Sequence, residues 1–120
     1  MAKVRYFVDD VDAAVAFYTK HLGFEVSFNA GPFAMITRGD LALMISGPKT
    51  SAARPMPDGS VPAPGGWNRF LFEVDDIEAV VASMRQAGIH FRNDILSGVG
   101  GKQIVAEDPS GNPIEVFQAA

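Results

Sequence analysis

Apolar and polar positions along this chain follow a short period, then a longer one, and that change happens twice. RYFV (5–8) and LFEV (71–74) are short and rich in aromatic and branched side chains, the composition of strands. Behind each, the apolar spacing lengthens to that of a helix face: Val11, Val15, Tyr18 and Leu22 in one case, Ile77, Val81 and Met84 with Val80 beside them in the other. Both predicted helices open on acids. Asp9 with Asp12, and Asp75 with Glu78, put an acceptor at the N-cap and a carboxylate three residues on, where orphan amides and the helix dipole favour negative charge. Gly23 and Gly88 supply the left-handed residue that ends a helix. Strand-like runs follow at 24–28 and 89–95. Two strand pairs come next, FAMITRGDLALMIS turning at Gly39-Asp40 and KQIVAEDPSGNPIEVFQ turning through Asp108 to Asn112.

The two halves are copies. VDDVDAAVA (8–16) and VDDIEAVVA (74–82) share six of nine residues at a shift of 66. The predicted architecture is therefore α+β: one domain over 1–120 made of two tandem βαβββ modules, module one at 1–46 and module two at 67–120. Between them, 47–66 holds five prolines and four glycines in twenty residues without periodicity, and reads as a tether or as a lid over a pocket.

Composition narrows the function classes. A chain of 120 residues, 48% hydrophobic and 20% charged, folds as one ordinary soluble domain. The net charge is -4 and the basic residues are scattered, which disfavours nucleic acid. No cysteine is present, so a thiol nucleophile, a disulfide scaffold and a Cys-ligated zinc are excluded. No apolar stretch approaches membrane length and no signal peptide is read, so a cytoplasmic location is expected.

The paired unit, with VDD ahead of each helix, FYTKHLGF (17–24) closing the first and GGKQIVAEDPSGNPIEVF (100–117) closing the second, resembles the vicinal oxygen chelate superfamily along essentially the whole chain. That group includes glyoxalases, extradiol dioxygenases, epimerases, fosfomycin-modifying enzymes and bleomycin-resistance binding proteins. The resemblance implies curled mixed sheets around a cup with the helices outside. Strand parity then predicts what faces the cup. Val4, Tyr6, Val8, Phe70, Phe72 and Val74 are the unbroken apolar sets and should meet the helices. The inward residues would be Lys3, Arg5 and Phe7, then Trp67, Arg69, Leu71 and Glu73, with Leu41, Leu43, Ile45, Glu115 and Phe117 on the closing strands.

Metal-dependent members of the superfamily hold one divalent ion with four donors, one from the first and last strand of each module. Transferred onto this chain, the four positions fall on Lys3, Leu43, Arg69 and Glu115. Only Glu115 is a credible ligand, and two cations would repel the ion, so the expectation is a chain without metal. An inward carboxylate needs a cation beside it, and an ion pair of Glu115 with Arg69 or Lys3 is the simplest account. His21 and His90 miss the ligand positions and read as structural. Trp67, the one tryptophan, is expected to stack on a ligand, plug the mouth or pack at a dimer contact. Met35 and Met44 read as adaptable core filling. Phe17-Tyr18 and the 108–112 turn read as structure.

Three functions compete. The first is a metal-free binding protein of the bleomycin-resistance type that sequesters a small aromatic or cationic molecule, with Lys3, Arg5, Phe7, Leu43, Trp67, Arg69, Glu115 and Phe117 as contacts. The second is a metal-dependent lyase, isomerase or dioxygenase of the glyoxalase type, or a metal-free enzyme with Glu115 as base. The third is a duplicated domain kept for assembly. The resemblance also implies a homodimer, closed within each chain or by exchange between two.

Overall fold

The structure, a computed structural model, describes residues 2–120 and divides the chain into two compact units, Met1–Gly65 and Gly66–Ala120. Unit one runs β1 (Ala2–Phe7), α1 (Val11–His21), β2 (Glu25–Asn29), β3 (Phe33–Arg38) and β4 (Leu41–Ser46). Unit two repeats the order with β5 (Leu71–Glu73), α2 (Ile77–Gln86), β6 (Leu96–Gly98), β7 (Gly101–Glu107) and β8 (Pro113–Ala119). Each forms a four-stranded mixed sheet, β1-β4-β3-β2 and β5-β8-β7-β6, in which the first strand lies parallel to the last and the other pairs are antiparallel. The predicted α+β class and the duplicated βαβββ unit are what the chain adopts.

The helices begin one residue later than their acids suggest. Asp10 and Asp76 are the N-caps, extended in backbone, with Oδ1 accepting from the amides of Ala13 and Ala79 at 3.1 Å. A cap must be the last non-helical residue with a helical amide in reach, and Asp9 and Asp75 stand one place too early. The buried face of α1 is Val11, Ala14, Phe17 and Tyr18, continued by Leu22 and Phe24, while Val15 is only half-buried. On α2 the face is Ile77, Val81 and Met84, as its spacing predicts. Gly23 and Gly88 end the helices at φ of 69° and 84°.

The strand-like run at 89–95 is not a strand. Phe91 makes a single bridge to Ala106, the chain bends through Asn93-Asp94, and β6 starts only at Leu96. Two turn-forming residues at that point outweigh the apolar composition around them. The proline-rich stretch 47–65 belongs to unit one. It contains a short 3₁₀ helix, Ser51–Ala53, and it lies over the ends of β1 and β4, where Phe7, Val8, Ser46, Pro62 and Pro64 line a cavity of about 60 Å³.

Strand register fixes the two faces of each sheet. In sheet one, Val4 and Tyr6 stand beside Leu43 and Ile45 and are continued by Ala34 and Ile36, a nearly sealed layer on the side of α1. Lys3, Arg5 and Phe7 share the other face with Ala42, Met44 and Ser46. In sheet two, Ile104, Ile114 and Val116 are sealed on the side of α2, where Lys102 Nζ reaches Glu78 at 2.7 Å and Gln118 Oε1 accepts from the Ile77 amide at 2.8 Å. The bond from Lys102 holds the Glu78 carboxyl below its ordinary range.

Candidate functional site

On the face of sheet two turned from α2, Leu71 stands beside Glu115 and Glu73 beside Phe117, and Gln103 and Val105 continue the row on β7. Arg69, two residues before Leu71, has the same parity. Its Nη2 and Nε both donate to Glu115 Oε1, at 2.8 and 3.1 Å, and its Nη1 donates to the Trp67 carbonyl at 3.2 Å. Glu115 is 6% exposed, so an ion pair rather than a lone carboxylate occupies this position. Oε1 takes both bonds; among the described residues, Oε2 accepts none.

Trp67 is 71% exposed and is held from behind. The Arg92 guanidinium lies 4.6 Å from the centre of its ring. That guanidinium is itself fixed, donating to Glu107 Oε2 at 2.7 Å, the Gly66 carbonyl at 2.6 Å and the Gly111 carbonyl at 2.9 Å. His90 Nε2 stands 3.6 Å from the other Glu107 oxygen. Two arginines thus grip consecutive carbonyls, Gly66 by Arg92 and Trp67 by Arg69. Arg92 was not among the residues expected to matter. Its signal in the sequence is an arginine within an apolar run that contains a break, IHFRND (89–94).

The turn that Arg92 reaches is built by Asp108, whose Oδ1 accepts from the amides of Ser110 and Asn112 at 2.9 Å and whose Oδ2 accepts from the Asn112 side chain at 3.0 Å. The family-like 108–112 segment is therefore turn geometry.

In unit one, Leu43 is corrected. It is fully buried beside Val4 on the side of α1; Ile45 is buried on the same face, and alternation puts the half-buried Leu41 there too. Matching the two hairpins by their turns moves β4 by one residue, and a one-residue slip reverses every side chain. Arg5 and Leu71 are equivalent under the repeat; they pair with Met44 and Glu115, so Met44 holds the equivalent position. Arg5 and Phe7 do share this face, and Arg5 Nη1 donates to Ser46 Oγ at 2.8 Å. Met35 pairs directly with Met44, and both are half-buried on this face. Phe28 and Phe33 stand near them with ring centres 6.1 Å apart.

The donors do not fit a divalent ion. Lys3 and Arg69 offer no lone pair, Leu43 lies on the other face, Met44 brings only a soft thioether, and Glu115 already carries a guanidinium. Among the described residues no three or more His, Asp or Glu side chains gather as a metal site would require.

Among the described residues, no helix is long and apolar enough to cross a membrane. No curated protein matches the chain. Solved structures do. A lactoylglutathione lyase from Agrobacterium tumefaciens is 23% identical with a TM-score of 0.75, over 98% of this chain and 92% of that one. TnmS3, an antibiotic-binding protein from Streptomyces sp. CB03234, is 22% identical with a TM-score of 0.75, over 98% and 93%. A superfamily member from Sphaerobacter thermophilus is 21% identical with a TM-score of 0.79, over 98% and 95%. These likenesses carry the fold and leave the chemistry open. The family model that matches residues 1–116 is that of the Glyoxalase/Bleomycin resistance protein/Dioxygenase superfamily, and the chain belongs to it.

Proposed function

We propose that this chain is a metal-free binding protein that holds a small aromatic molecule on the face of sheet two formed by Trp67, Arg69, Glu115 and Phe117. The observation that carries the reading is the Arg69–Glu115 pair beside an exposed tryptophan. A ring stacks on the indole while the uncommitted Glu115 Oε2 accepts a hydrogen bond from a guest N–H or O–H. Aromatic and apolar side chains with a few placed polar groups are the usual lining of such a site. The antibiotic-binding TnmS3 shares the fold, which makes sequestration of a planar natural product a reasonable role.

Catalysis has less support. A general base must have an oxygen free to take a proton in reach of the substrate, and Glu115 Oε1 already accepts two bonds from Arg69. Arg5, Phe7 and Met44 form a related surface on sheet one. The chain is also expected to form a homodimer, which sedimentation reads directly.

Fluorescence of the single tryptophan during titration with planar aromatic compounds tests the reading. Saturable change is expected with a subset of them, with the guest recovered chemically unaltered, and weakening in E115Q. A silent panel, or turnover of the guest, would overturn it.

A further inference from the structure

We infer that Arg92 is a positioning residue that fixes Trp67 as a one-sided stacking platform, and that this platform selects neutral or anionic planar guests over cationic ones. The inference rests on the binding reading above and names the class of guest.

Trp67 follows Gly65 and Gly66, whose φ values of 109° and 84° lie where side chains are rarely found, and a Cβ at either would meet nothing within 4 Å. Trp67 itself is 71% exposed. An exposed ring there would sample many orientations, and ordering it on binding would cost affinity. Arg92 removes that freedom. Its Nη1 holds the Gly66 carbonyl, its guanidinium covers one face of the ring, and its own orientation is set by Glu107 and Gly111 from β7 and the following turn. Arg92 is well buried, with 16% of its side chain exposed, so it is part of the framework while Trp67 remains open.

The covered face also determines what the open face accepts. An indole attracts a cation through the negative charge of its π-system, and here that density already faces a guanidinium. A second cation on the opposite face meets a ring whose electrons are drawn away from it, and it meets Arg69 at the Trp67 carbonyl. Glu107 and Glu115, the carboxylates gripped by the arginines that hold the Trp67 end, are already balanced, and Glu73, beside Phe117, lies six residues farther along the chain from Trp67. An electron-rich neutral ring or an aromatic carboxylate gains from both arginines.

Calorimetric titration of the full chain with three probes of one ring, 1-naphthoate, 1-naphthalenemethanol and 1-naphthylmethylammonium, tests this. The anionic and neutral probes are expected to bind on the order of tenfold tighter than the cation. In R92Q that ratio is expected to shrink, and the polarization anisotropy of Trp67 emission to fall as the ring loosens, while circular dichroism reports whether the variant stays folded. Should R92Q fail to fold, the wild-type charge series decides alone. Equal or tighter binding of the cation by the wild type, or a folded R92Q with unchanged ratio and anisotropy, would overturn the inference and leave the binding reading standing. No binding of any probe, with no response of Trp67 to the wider aromatic panel, would overturn both.

Discussion

Arg69 places two N–H groups on one oxygen of Glu115, Nη2 at 2.8 Å and Nε at 3.1 Å, and the carboxylate between strands β5 and β7 is thereby neutralised in place. A buried carboxylate that loses its only cation cannot relax into water, whereas replacing both members leaves no charge to satisfy. The R69M variant is expected to lose about 2–3 kcal/mol, toward the lower side because Arg69 keeps a quarter of its side chain in solvent. The R69M/E115L double variant should recover most of that loss. Urea midpoints of the four proteins in the cycle measure the coupling, and additive losses would mean that the pair does not act as a unit.

Leu43 and Met44 are neighbours with opposite duties. Leu43 is sealed under α1, and L43A is expected to cost about 3 kcal/mol through lost burial and a residual cavity. Met44 stands half-buried on the other face, and M44A should cost about 1 kcal/mol. Thermal unfolding separates the two; a mild L43A would contradict the register.

That pair also shows how far the sequence is legible. The repeat carries the fold because the same order of signals, strand, capped helix, glycine and closing hairpin, occurs twice, at a shift of 66 residues through the helices and a larger one at the closing turns. Parity also narrows the partner of Glu115 to Arg69 or Lys3, and the register that sets Leu71 beside Glu115 selects Arg69. Leu43 misleads for a physical reason. The two hairpin turns differ in length, so aligning them on glycine shifts β4 by one residue, and alternation turns one residue into the wrong face. The role of Arg92 is hidden for a different reason, although its charge within the apolar run is visible. Its three acceptors lie at Gly66, Glu107 and Gly111, distant in sequence, and nothing local in IHFRND announces that the turn and the linker end converge on it.

Two glycines with positive φ should respond unequally to alanine. At Gly101, φ is 142° and a Cβ would run into the backbone carbonyl of Gln118 on the neighbouring strand. At Gly88, φ is 84° and the space is empty. G101A is expected to lose about 3 kcal/mol or to disturb the β7–β8 pairing, and G88A about 1 kcal/mol from backbone strain alone. Denaturant unfolding with amide exchange on β8 checks both, and equal losses would show that the close approach at Gly101 is not what requires glycine.

The central claim is that this chain, with Glu115 paired to Arg69, holds no metal. The measurement that bears on it most directly is the metal content of the chain expressed in medium supplemented with zinc, nickel, manganese and iron and purified without chelator. The account predicts that no ion is retained in proportion to protein and that E115Q leaves the result unchanged; one ion per chain, lost in E115Q, would contradict it.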